Sequence, residues 1–446
     1  MNILIKNGRV MLREEHGWRL DKADLRIRGS RIAQISAALP EEKGETVLDA
    51  SGMLVMPGLI NAHTHAYMSL HRNYADDLAF FDWLDKVQQV EDGMTEADIY
   101  WATKLAVIEM LRSGTTCFVD MTLKSGREKT GPLSAAAGAV LETGIRAVIS
   151  RGLAGTADSD ESLMKYGQAV YEMDLFRDES RLQFMHGPHA PYSCMADYLK
   201  KLTRSSRDRG IRQTIHLSES RTETENMIRE RGVTPIRYVY DQGVFDVPVL
   251  AAHCVYATDD DIRILAENRV SVAVNPRSNM KLGNGFAPVK KLLEAGVNVC
   301  LGTDGAGSNN SLNMFLEMNA AAMVYKGDNR EAQCVSASDA LRMATVSGAK
   351  AIGREGELGI LKEGALADMI LIRLDEPQFM PASNILSGLV YSSNGSEVDT
   401  VIVDGNVLMR NRRLLTVNEE EVYAACEKAA ARLGMKKADF ISDTLA

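Results

Sequence analysis

Six side chains of this 446-residue protein have types and spacings that could do hydrolytic or metal chemistry. His63 and His65 sit one residue apart in "PGLINAHTHAYMSL" (57–70), just after Pro57 and Gly58. His216 and Glu219 share "TIHLSES", His253 stands in "AAHCV" and Asp304 in "LGTDG". On an extended strand, residues i and i+2 point to the same side, so the HxH pair can aim two imidazoles at one point. His216 and Asp304 could complete an N/O shell suited to one borderline divalent ion, Zn²⁺ before Fe²⁺. An open position there would hold a water of lowered pKa. A lone HxH is a weak signal, because strand-end histidines often only cap a carbonyl. The coincidence of further ligands, each at a different strand end, turns the reading toward a metal site.

The elements that must position these residues can be read from hydrophobic patterning. Near-continuous apolar runs end at 61–65, 115–121, 146–152, 182–192, 212–219, 249–255, 270–279 and 297–305. Helical stretches at 97–112, 131–143, 195–208, 222–231, 258–267 and 311–325 lie between them. Strands buried on both faces, each followed by a helix, imply a parallel sheet. Eight units argue for an α/β protein with a (β/α)₈ TIM-type barrel, with a doubly wound open sheet as the alternative. Barrel chemistry sits at the C-terminal ends of the strands, where the six residues fall. Both chain ends alternate apolar and polar residues around Gly turns, which predicts one small β-sandwich domain built from both ends. The expected division is 1–57 plus 361–412 for that domain, 58–360 for the barrel and 413–446 for a C-terminal helical extension.

A formal net charge of −9 with no basic block argues against a nucleic-acid partner. No apolar stretch reaches transmembrane length, and "MNILIKNGRVML" does not resemble a secretory leader. The six cysteines form no CxxC pair, so a cytoplasmic location is expected. His16 reads as solvated surface, and His71 and His186 as structural.

With "GPHAPYSC", "NPRSNMKLGNGFAPV" and "LGTDGAGSNNSLNMFLEM" added to the motifs above, nearly the whole chain resembles the amidohydrolase superfamily. Within it, the similarity is strongest to the 5′-methylthioadenosine/S-adenosylhomocysteine deaminase group. Guanine deaminases and chloro-s-triazine hydrolases share most of these motifs. The resemblance implies the barrel with a flanking β-sandwich and one divalent metal on His63, His65, His216 and Asp304. Glu219 matches the family's proton shuttle, and His253 lies beside the activated water. Glu91 matches a residue that binds ribose hydroxyls, His189 one that contacts the purine, and Arg151 one that holds the carboxylate of a homocysteine tail. A homo-oligomer is also compatible with the resemblance.

The implied reaction is hydrolytic deamination of an adenosine-type nucleoside. Asp304 takes a proton from the attacking water, and Glu219 protonates the ring nitrogen beside C6 and then the departing amine. Taken alone, Glu219 in "SESRTETE" reads equally as a helix-start acid. Trp83, beside Phe80, Phe81 and Leu84, reads as core unless that segment folds over the barrel mouth. Three departures from the common pattern stand out: Val274 where histidine is usual, "FFDWL" (80–84), and His71-Arg72-Asn73. They are expected to flank the pocket mouth and bear on the substrate. Competing readings are a hydrolase of another heterocycle (guanine, a pterin, an s-triazine) and a non-catalytic scaffold.

Overall fold

The computed structural model describes residues 2–15, 17–123 and 131–435. His16 and the distal part of the 413–446 extension lie outside them.

Two sheets organise the chain. The smaller domain is built on strands β1 (Asn2–Glu14), β2 (Gly17–Arg28), β3 (Arg31–Ser36), β4 (Thr46–Asp49) and β5 (Met53–Pro57). The barrel follows with β6 (Leu59–Thr64), β7 (Thr115–Thr122), β8 (Arg146–Leu153), β9 (Leu182–Pro188), β10 (Arg212–Leu217), β11 (Val249–His253), β12 (Ser271–Val274) and β13 (Asn298–Leu301). The chain then returns to the first sheet with β14 (Met369–Arg373), β15 (Val398–Val403), β16 (Asn406–Arg410) and β17 (Arg413–Leu414). The two chain ends meet where β5 pairs antiparallel with β14, Val55 opposite Leu371. What results is one mixed nine-stranded sheet with its own apolar core of residues such as Ile3, Leu25, Val55, Met369 and Ile402.

The barrel strands run in sequence order from β6 to β13, all neighbours parallel. Across the seam, Thr303 N donates to Asn61 Oδ1 at 3.0 Å and Asp304 N donates to His63 O at 2.9 Å. Inside, Ile60, Ala62, Val119, Val148, Leu250 and Ala273 fill the lower part of the barrel. With apolar residues on both faces, these strands carry no period-2 signal, as expected of a sheet covered by helices.

Pro57-Gly58 is the hinge between the two sheets. A Cβ on Gly58 would stand 2.1 Å from Thr116 Oγ1, so only glycine lets β6 approach β7 that closely. Pro57 ends β5, and the chain turns at once into the strand that carries His63 and His65.

Candidate active site

β6 delivers His63 and, one residue past its end, His65; β10 delivers His216 and β11 His253, while Asp304 follows β13. All five are buried at the C-terminal mouth of the barrel. His65 Nδ1 donates to Met121 O at 2.7 Å, and His216 Nδ1 donates to His189 O at 2.8 Å. A carbonyl can only accept, so each neutral ring keeps its lone pair on Nε2. Those two Nε2 atoms face each other at 3.1 Å. Asp304 Oδ1 lies 3.3 Å from His65 Nε2 and 3.6 Å from His63 Nε2, and buried His63 Nε2 has no hydrogen-bond partner among the described residues. Zinc–ligand bonds of about 2.0–2.1 Å would place tetrahedral ligands ~3.3 Å apart. The donor set therefore fits a divalent cation.

Electrostatics agree with the geometry. Burial, reinforced by the neighbouring imidazoles, holds His216 well below its ordinary pKa, so it presents a lone pair. Burial opposes charge on Asp304, yet His63, His253 and His65 around it hold its carboxyl well below the usual range. His253 is depressed to about 4, chiefly by burial.

Glu219 shares this centre: its Oε2 lies 3.7 Å from His253 Nε2, and its Oε1 accepts from Asn284 Nδ2 at 3.4 Å. Burial, with Asp304 and Glu223 nearby, pushes its carboxyl well above the usual range. The helix-start role belongs instead to Glu223, which forms a capping box with Ser220 on the helix Arg221–Arg231. Glu223 Oε2 also accepts from Glu219 N at 2.7 Å. That S-x-x-E signature was readable in the sequence.

The helix Phe80–Glu91 folds over the mouth, and Phe80, Trp83, Leu84, Gln88 and Glu91 form one wall of the pocket. Trp83 belongs to the buried core and to this wall, with its indole N–H donating to Gly307 O at 3.1 Å. Tyr67 donates to Glu91 Oε1 at 2.6 Å. The opposite wall carries Met121, Thr122, Gly152, His189 and Tyr192, and the Phe81 and Tyr192 rings meet across the opening at 6.3 Å. Tyr67, Gln88, Thr122 and Tyr192 were not singled out from sequence.

The structure thus brings together His63, His65, His216, His253, Asp304, Glu219, Glu91 and His189. Arg151 it does not. Gly152 lines the pocket, whereas Arg151, one residue earlier on β8, is turned toward the helix Asp160–Leu175. It is buried there and donates to Gln168 Oε1 at 2.6 Å. Two of the three departures also lie elsewhere. Val274 packs in the core outside the barrel sheet, and His71 is buried behind Tyr67, their rings 6.1 Å apart. Only the 80–84 segment reaches the pocket, through Phe80, Trp83 and Leu84.

Comparisons with known proteins agree with this architecture. The amidohydrolase family model matches residues 54–408. A 5-methylthioadenosine/S-adenosylhomocysteine deaminase of Caldanaerobacter subterraneus subsp. tengcongensis is 44% identical over 436 residues, covering 97% of this chain and 99% of the relative. Among solved structures, a zinc-bound adenosine deaminase from Xanthomonas campestris superposes with a TM-score of 0.90 at 27% identity, covering 97% and 99% of the two chains. A zinc complex of atrazine chlorohydrolase from Arthrobacter aurescens gives 0.88 at 25%, covering 97% and 100%. No helix among the described residues is long and apolar enough to cross a membrane. The chain belongs to the amidohydrolase family and is a hydrolytic enzyme of that family.

Proposed function

We propose that this enzyme replaces the 6-amino group of an adenosine-type nucleoside by oxygen and releases ammonia, and that it depends on one divalent metal, Zn²⁺ first. The carrying observation is the arrangement of Glu219 and His253 against the His63–His65–His216–Asp304 cluster, under a helix that carries Glu91. The name of the 44%-identical relative supports the substrate class. None of the six cysteines forms a disulfide, which suits a cytoplasmic enzyme.

His63, His65, His216 and Asp304 would hold the ion. When bound, it would supply a water whose pKa is lowered toward neutrality. Asp304, kept ionised by its neighbours, accepts a proton from the attacking water. His253 Nδ1 lies 2.9 Å from Asn279 Oδ1 and 3.2 Å from Asn275 Nδ2, contacts that fix the ring so that Nε2, turned toward Glu219, orients the water. Glu219, kept protonated by burial, donates to the ring nitrogen beside C6 as the new C–O bond forms. It then relays the proton of the new C6 hydroxyl to the departing nitrogen, and the proton held by Asp304 restores its acid form, so one water is consumed and one ammonia released. Glu91, already holding Tyr67, faces the ribose hydroxyls, and His189 the base.

Ultraviolet absorbance with parallel ammonia detection tests this reading. The substrates would be adenosine, methylthioadenosine, S-adenosylhomocysteine, guanine and an aminated triazine, each with zinc-loaded enzyme. Loss of the adenine band with equal ammonia is expected from at least one nucleoside. Turnover of guanine or the triazine alone would move the assignment to another heterocycle.

A further inference from the structure

Asp304 is held in an unusual way at both its backbone and its side chain. Its φ is 61°, a left-handed value for a non-glycine residue, and its N–H is tied to His63 O. Such a conformation persists only where surrounding contacts over-determine it. The two carboxylate oxygens are then treated differently. Oδ1 faces the histidines, whereas Oδ2 accepts two hydroxyl hydrogen bonds, from Ser278 Oγ at 2.7 Å and Ser308 Oγ at 2.8 Å.

Both serines are fully buried. Ser308 Oγ also lies 3.1 Å from Gly305 O. That carbonyl, however, already accepts from Ser308 N and Asn309 N, at 3.1 and 3.0 Å. The Ser308 hydroxyl hydrogen is therefore directed to Asp304. Ser278 comes from the short helix Pro276–Lys281 inside "NPRSN", and Ser308 from the loop after β13 inside "GAGSNN". Two separate segments thus converge on one oxygen, and two donors occupy both of its lone-pair directions.

We propose that Ser278 and Ser308 are positioning residues that clamp Oδ2, so that Asp304 offers only Oδ1 to the metal and to the water proton. This rests on the metal-centre reading above. The clamp works through Asp304, and neither serine lines the substrate pocket, so substrate affinity is outside its reach.

The test compares wild type, S278A/S308A, and the hydroxyl-retaining S278T and S308T. Zinc affinity is measured by competition with a chromophoric chelator, alongside kcat and KM on the best nucleoside. The double alanine variant is expected to bind zinc about 10–100-fold more weakly and to lose kcat by a similar factor with KM within about two-fold. Each threonine variant should stay close to wild type. Unchanged zinc affinity and kcat in the double variant overturn the clamp. So does a KM that rises in step with the kcat loss, or an equal loss in the threonine variants, since either marks a general packing defect. If the alanine pair does not fold by circular dichroism, S278C/S308C keeps the volume with poor donors and carries the same expectations. Should no nucleoside react, the zinc titration still decides the clamp. If wild type binds no zinc, the metal-centre reading fails and takes the clamp with it.

Discussion

The Nε2 atoms of His65 and His216 face each other at 3.1 Å, each with its own Nδ1 hydrogen committed to a backbone carbonyl. Two buried lone pairs at this distance repel unless a cation lies between them. Second contacts of this kind fix the ring tautomer of metal-binding histidines. Chelator-treated enzyme should therefore lose turnover and regain it on adding zinc. His216→Ala removes a direct ligand and should weaken zinc binding by more than the roughly 10–100-fold that losing an outer-shell partner costs. Zinc per chain by elemental analysis checks both, and full zinc occupancy in that variant would contradict the ligand assignment.

In the proposed mechanism Glu219 transfers protons and does not hold the metal. Replacing it with Gln keeps the shape and removes the transferable proton. kcat should fall by roughly 10²–10⁴-fold, the usual contribution of a general acid–base group, while zinc content stays unchanged. Steady-state kinetics beside metal analysis read this out, and near-normal kcat would remove the proton-transfer role.

Glu91 faces the pocket from the covering helix, fixed by the 2.6 Å bond from Tyr67. A charged acceptor for ribose hydroxyls contributes about 1.5–3 kcal/mol, or ~10–150-fold in binding. Glu91→Gln should raise KM for nucleosides within that range and leave that for free adenine unchanged. Equal effects on nucleoside and free base would show that Glu91 does not read the sugar.

The legible and illegible parts of this site differ for a physical reason. His63, His65, His216, His253 and Asp304 end apolar strands, so their polarity stands out and the barrel rule locates them. Arg151 shows the limit. β8 reads "RAVISRGL", apolar toward both the barrel interior and the helices, so no alternation says which way Arg151 points. Its outward direction emerges only from its contact, the hydrogen bond to Gln168 of the helix Asp160–Leu175. Ser278 and Ser308 left no pattern at all, since a serine that serves one carboxylate looks like any loop serine. Val274 and His71 were departures from a motif, and only packing shows that they lie away from the pocket. The terminal strands were legible as a β-domain because their hairpins alternate. That they form one continuous nine-stranded sheet depends on the long-range pairing of β5 with β14.

His71 and His186 give the fold an acid sensitivity. Burial depresses both to about 4, and neither His71 ring nitrogen has a hydrogen-bond partner among the described residues. Below their ordinary value near 6.5 the unfolded chain binds protons that the folded chain refuses, so stability falls as pH drops from ~6.5 to ~4. Each can contribute up to ~1.4 kcal/mol per pH unit in that window. His71→Leu should flatten the slope by about one proton and stabilise the protein most at low pH. Urea unfolding midpoints at pH 5 and 7.5 measure this, and an unchanged slope would contradict it.

Hydrolytic deamination at C6 is tested most directly by isotope labelling. Zinc-loaded enzyme would be incubated with its best nucleoside in H₂¹⁸O, and the product mass and ammonia determined together. One ¹⁸O at the former amino position per ammonia released is predicted. Product formed without the label, or label without ammonia, would contradict hydrolysis at C6.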